Sequence, residues 1–135
     1  MSTQKHITPG YIEQDELISL LDKNPLDVII VDVRDEDYEN GRLPRSIHYP
    51  SDTFLLNLND LITEIANMKP IPTHIVFHCY LSQRRGPKSA KYFLELSSSR
   101  LPHCVVSILK GGWEEWYIRF HGDQSKVKPI ENKDE

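Results

Sequence analysis

Three short runs in this chain are apolar almost throughout: Asp27 to Val33 (DVIIVDV), His74 to His78 (HIVFH) and Cys104 to Leu109 (CVVSIL). A strand with one wet face alternates apolar and polar residues, so runs without that alternation predict strands covered on both faces. Shorter strands are predicted at Tyr11 to Glu13 and Ser46 to Tyr49. Between them, apolar residues at helical spacing predict helices over Asp15 to Asp22, Asp52 to Asn67, Lys88 to Ser98 and Trp113 to Phe120, with Ser51 as N-cap of the second. Strands alternating with helices give an α/β domain: a central, mostly parallel five-stranded sheet with helices on both faces, joined by right-handed crossovers. Trp113, Trp116 and Phe120 share one helix face and read as core.

Length sets the domain count. At 135 residues the chain can enclose one core, predicted over residues 1–122, while residues 123–135 (DQSKVKPIENKDE) read as a flexible charged tail. A net charge of −4 works against non-specific nucleic-acid binding, and no run approaches the ~20 apolar residues of a membrane helix. The N-terminal MSTQKHITPG lacks the apolar centre of a signal peptide, so a cytoplasmic or nuclear protein is expected, with no membrane or nucleic-acid partner. Two cysteines, Cys79 and Cys104, are too few for a disulfide framework or a cysteine-rich zinc site.

Cys79 stands where a predicted strand ends and a loop leads to a helix, in the segment HIVFH-CYLSQRRG-PKSA, with five residues separating it from Arg85. Open α/β sheets bind ligands at the carboxyl ends of their strands, and a loop of this size at a helix N-terminus can wrap backbone N–H groups around a tetrahedral oxyanion. The helix dipole and Arg85 favour the thiolate of Cys79, which makes it a candidate nucleophile. Arg85 has the planar fork needed to hold two oxygens of the anion, a task lysine cannot share. The predicted site is therefore catalytic Cys79 and Arg85, with substrate bound by the segment Tyr80, Leu81, Ser82, Gln83, Arg84, Arg85 and Gly86. No metal-ligand cluster is apparent and the chemistry needs no cofactor.

With these residues in place, the chain resembles the rhodanese-homology superfamily from about Tyr11 to His121, on three segments. VDVRDEDYENGRLPRSIHYP (Val31 to Pro50) is similar to the first conserved segment of that superfamily, LKGGWEEW (Leu109 to Trp116) to its last, and HCYLSQRRGP to its active-site loop. The resemblance implies a rhodanese-like fold. Sulfurtransferases of the superfamily have a loop one residue shorter, whereas five residues between cysteine and arginine resemble the branch of cell-cycle dual-specificity phosphatases and fungal arsenate reductases. A small stand-alone fungal phosphatase of this branch is the nearest likeness. It implies hydrolysis of phosphate monoesters, on a phosphorylated protein or a small ester, with phosphate and arsenate as fitting oxyanions. Arsenate reduction with glutathione or glutaredoxin is the rival reading; a sulfurtransferase or a non-catalytic binding module is more distant. Two departures stand out. The loop interior carries none of the branch's acidic residues, and Val33 stands where the cell-cycle enzymes have a second cysteine.

Several other side chains have two readings. Asp35, Glu36, Asp37 and Glu39 follow the first strong strand; one of them could protonate a leaving oxygen, or all could form a solvated acidic turn, and nothing in the sequence selects one. Asp32 and Arg34 read as an ion pair bracing the loop. Ser82 could donate a hydrogen bond to the thiolate or simply tie the loop. His78 should point away from Cys79 and be buried and hydrogen-bonded. Arg84, Lys88 and Lys91 form a basic patch that either attracts an anion or is a solvated helix start. Cys104 reads as a small buried hydrophobe rather than a resolving thiol.

Overall fold

The computed structural model describes residues 8–131. Its strands are β1 (Gly10–Ile12), β2 (Val28–Asp32), β3 (Ser46–His48), β4 (His74–His78) and β5 (Val105–Leu109), and they pair in the order β1-β5-β4-β2-β3. Every pairing is parallel, so the predicted five-stranded sheet is wholly rather than mostly parallel. Four helices complete the domain: α1 (Gln14–Lys23), α2 (Phe54–Ala66), α3 (Arg85–Ser97) and α4 (Gly112–Phe120).

The unbroken apolar runs are explained by two separate cores. Ile29 and Val31 of β2, with Ile75 and Phe77 of β4, pack with Leu58, Leu61 and Phe93 of α2 and α3. Their neighbours Val28, Ile30 and Val76 point the other way, to Leu17 of α1 and to Trp113 and Trp116 of α4. Successive strand side chains point to opposite faces, so a sheet covered on both sides needs apolar residues at every position. Phe77 meets Phe54 edge-on at 6.0 Å and Phe93 at 5.4 Å, which locks α2 and α3 onto the strand that leads into Cys79.

Two helix starts differ from expectation by more than one residue, and both concern the loop region. Helix α3 begins at Arg85 rather than Lys88, so Arg85 lies inside the first helical turn; Pro87 sits in that same turn, where a missing N–H costs no intrahelical bond. Helix α2 begins at Phe54 after a 3-10 turn over Ser51–Thr53, and Ser51 does not cap it. Its hydroxyl donates instead to Asp35 Oδ2 at 2.6 Å, a charged and therefore stronger acceptor.

The expected flexible tail from residue 123 is corrected for residues 123–129. Lys128 and Arg42 exchange backbone hydrogen bonds of 2.8 and 2.9 Å, and the buried Trp116 indole N–H finds its acceptor in the Lys126 carbonyl at 2.9 Å. Val127 packs against the core beneath α1 and α4. A segment with one well-placed apolar residue can dock through its backbone even where its composition reads as solvated. Residues 132–135 of that expected tail lie outside the described residues.

Candidate active site

Strand β4 delivers Cys79 directly to the end of the sheet, and the chain then bends through residues 80–84 before α3 starts. The Cys79 sulfur accepts backbone N–H groups from Ser82 and Gly86, both at 3.2 Å. Two local features make this possible. Ser82 adopts φ +58°, which folds the loop back over the sulfur. At Gly86 a Cβ would come within 3.3 Å of the Cys79 nitrogen, so glycine permits the helix to approach the strand end this closely.

The loop is held from outside by the segment Leu109 to Trp116. Trp113 N–H donates to the Cys79 carbonyl and Glu114 N–H to the Tyr80 carbonyl, both at 2.9 Å, so the free donors of the first turn of α4 satisfy the loop's backbone. Gly112 precedes them at φ +60°, and a Cβ there would lie 2.5 Å from the Tyr80 oxygen. From the opposite side, the Tyr11 hydroxyl donates to the Ser82 carbonyl at 3.3 Å.

His78 is fully buried, as expected, and its Nδ1 lies 3.0 Å from the Cys79 carbonyl, a contact that requires an N–H at Nδ1. Burial pushes the His78 imidazole towards its neutral form, against the pull of Asp32 at 3.5 Å. Ser82 corrects an expectation: its hydroxyl is buried without a partner among the described residues, and it is the backbone N–H that meets the sulfur. Cys104 is half-buried rather than fully buried, just before β5, with its thiol donating to the Pro72 carbonyl at 3.3 Å; burial pushes that thiol up.

An open pocket of about 240 Å³ lies over the sulfur, lined by Cys79, Tyr80, Leu81, Gln83, Arg84, Arg85 and Asp37. Five of the seven predicted binding residues line it with their surfaces, while Ser82 and Gly86 lie behind and contribute backbone. Lys88 faces an adjoining groove of about 300 Å³ that shares Arg85, and Lys91 lines neither cavity. Among the described residues no three His, Cys, Asp or Glu side chains converge on a metal site.

Asp37 was not singled out by the sequence, and the sheet order explains its presence. Strands β2 and β4 are parallel neighbours with Asp32 opposite His78, so the loops that follow them emerge side by side. Asp37 grips Arg85 through Oδ1–Nη1 (2.9 Å) and Oδ2–Nη2 (2.7 Å), and Asp35 Oδ2 takes Nη1 at 3.1 Å. Hydrogen bonds from Arg85 lower the Asp37 carboxyl to about 2. Burial alone would raise Asp35, but bonds from Ser51, the Asp52 N–H and Arg85 outweigh it and hold Asp35 below its ordinary value. Glu36 and Glu39 are exposed, in keeping with the solvated reading.

Asp32 and Arg34 form the expected brace. Arg34 is fully buried, forks onto Asp32, and reaches the Glu39 and Gly41 carbonyls at 3.0 and 2.8 Å, which fixes the acidic loop.

The sequence matches the family described as rhodanese-like domain over residues 13–119. The chain belongs to that family. It is 31% identical over 138 residues to the dual specificity phosphatase ibp1 of Schizosaccharomyces pombe, spanning 90% of this chain and 97% of the relative. A protein of Oryza sativa subsp. japonica named arsenate reductase 2.2 is 31% identical over 113 residues, 81% of this chain and 82% of its own length. Among solved structures, a yeast protein tyrosine phosphatase of the rhodanese family superposes with a TM-score of 0.81 at 26% identity, covering 93% of this chain and 95% of that one. The rhodanese-like fold and the branch of small phosphatases and arsenate reductases agree with the resemblance drawn from the three sequence segments. The expectation of an enzyme agrees with relatives that are named as enzymes.

Proposed function

We propose that this rhodanese-family protein is a cysteine-dependent phosphatase of the protein-tyrosine or dual-specificity type. One observation carries the reading: the Cys79 sulfur sits at the N-terminus of α3 with two backbone N–H groups already turned towards it, in a loop that ends at Arg85. Fixed N–H donors at a helix N-terminus suit an oxyanion placed above the sulfur.

The Cys79 thiolate attacks phosphorus, so that an S–P bond forms as the P–O bond to the leaving alcohol breaks, and the leaving oxygen takes its proton from solvent water. Water then attacks the phosphocysteine; the S–P bond breaks, inorganic phosphate leaves and the thiolate is restored. Arg85 and the N–H groups of the Tyr80 to Gly86 segment hold the non-bridging oxygens in both steps. Tyr80 and Leu81 stand exposed at the rim and would flank an aromatic leaving group such as that of phosphotyrosine. The names of the relatives support substrates that contain phosphate.

The test compares release of phenolate from p-nitrophenyl phosphate by the wild-type protein and its Cys79→Ser variant, with arsenate, glutathione and glutaredoxin in a parallel assay. Ester turnover that vanishes in Cys79→Ser is the expected outcome. Absence of ester turnover together with Cys79-dependent arsenate reduction would replace the phosphatase by a reductase.

A further inference from the structure

Arg85 carries five N–H donors, and the structure shows where three of them go. Nη1 gives one hydrogen to Asp37 Oδ1 and the other to Asp35 Oδ2, while Nη2 gives one to Asp37 Oδ2. Asp37 thus fills the fork at the tip of the guanidinium, between Nη1 and Nη2, and Asp35 takes the outer side of Nη1. Two donors remain, Nε–H and the second hydrogen of Nη2, and neither has a partner among the described residues. They lie side by side on one edge of the planar group and point the same way. That edge is itself a fork, suited to two oxygens of a tetrahedral oxyanion.

The carboxylates that grip Arg85 are themselves fixed. Asp35 accepts from the Ser51 hydroxyl at 2.6 Å and from the Asp52 N–H at 3.0 Å, and Asp37 Oδ1 accepts the Asp35 N–H at 2.9 Å. Their loop hangs on the buried Arg34 through the Glu39 and Gly41 carbonyls. A chain of contacts therefore runs from the core to the guanidinium, whose side chain is 34% exposed and would otherwise be free to swing. Precise placement is what a bidentate clamp needs, because a misplaced group loses much of its effect on the reaction.

We propose that Asp37, seconded by Asp35, is a positioning residue that fixes the tip of Arg85 and leaves its Nε–Nη2 edge as a preformed fork for the oxyanion. This rests on the reading of residues 79–85 as the oxyanion site. Two other roles for Asp37 are distinguishable from it. As a competitor for the guanidinium it would weaken anion binding, and as a proton donor it would matter most for poor leaving groups. Its strongly acidic carboxyl fits a permanent strut.

The test is a double-mutant cycle. Asp37→Asn and Asp37→Glu are made with Arg85 present and in an Arg85→Lys background; kcat and KM are measured for p-nitrophenyl phosphate and for an alkyl phosphate, inorganic phosphate binding by calorimetry, and folding by circular dichroism. Asp37→Asn should lower kcat roughly tenfold to a hundredfold for both esters and weaken phosphate binding, with partial rescue by Asp37→Glu. In the Arg85→Lys background the same substitution should change kcat by less than about twofold, since the effect passes through the guanidinium. Tighter phosphate binding with undiminished kcat, a loss confined to the alkyl ester, or a loss that persists without Arg85 each overturns the proposal. If the wild-type protein turns over neither ester, the phosphatase reading fails separately. Phosphate binding then decides the positioning role: Asp37→Asn must weaken it with Arg85 present and leave it unchanged with Arg85→Lys.

Discussion

Arg34 and Arg85 both fork onto an aspartate, yet they differ in what is left over. Arg34 is fully buried; its Nε and Nη2 bind Asp32, Nη1 and Nη2 reach two carbonyls, and its guanidinium lies 4.4 Å from the Trp113 ring and 5.0 Å from that of Tyr38. No edge is open to a ligand. Arg85 is a third exposed, lines the pocket that contains Cys79, and keeps one two-donor edge without a partner among the described residues. A guanidinium whose donors are nearly all used by the protein acts as a strut, while one held by three donors with two to spare can act on a substrate. The contrast also divides the two acidic partners: Asp32 neutralises a buried charge, whereas Asp37 orients an accessible one.

That division predicts which property each substitution breaks. Arg34→Met should cost about 3–5 kcal/mol of stability, because Asp32 is left as an uncompensated buried charge, and adding Asp32→Asn should restore part of it. Urea unfolding checks this; a loss under about 1 kcal/mol would mean that Arg34 is not the strut described here. Arg85→Lys should leave stability nearly unchanged and lower kcat/KM on an aryl phosphate by about a hundredfold to a thousandfold, as expected for loss of a preorganised donor pair. If it instead unfolded the domain, the two arginines would not be different in kind.

A smaller effect concerns acid. The Asp37 carboxyl falls from 3.8 to about 2 on folding, so its stabilisation is complete above the unfolded value and is lost as pH drops towards 2. Asp35, shifted in the same direction, adds to that loss. Stability measured at successive pH values below 4 should therefore fall less steeply in Asp37→Asn than in the wild-type protein. Equal slopes would show that the carboxylate is not held by Arg85 in solution.

The fold was largely legible because its signals are local. Val28 to Val31 and Ile75 to Phe77 announce two-sided burial by their composition, and HCYLSQRRGP places a loop and a glycine between strand and helix. The register of α3 was not legible to the residue: Arg85 and Gly86 are indifferent or poor helix signals, and tertiary bonds to the Cys79 sulfur and backbone set the start. The role of Asp37 was hidden for another reason. It depends on β2 lying next to β4, a long-range pairing that no local pattern specifies, so four acidic residues looked equivalent until the sheet order separated them. The docking of Lys128 was missed similarly, since its partner Arg42 is distant in sequence.

The most direct test of an oxyanion cradle around a reactive Cys79 uses the second cysteine as an internal reference. The protein is treated with iodoacetamide, and modification of Cys79 and Cys104 is followed by peptide mass spectrometry with and without inorganic phosphate or arsenate. Faster modification at Cys79 than at Cys104, with protection by either anion at Cys79 alone and loss of that protection in Arg85→Lys, is the predicted result. Modification of Cys79 at a rate indifferent to both anions would contradict the account.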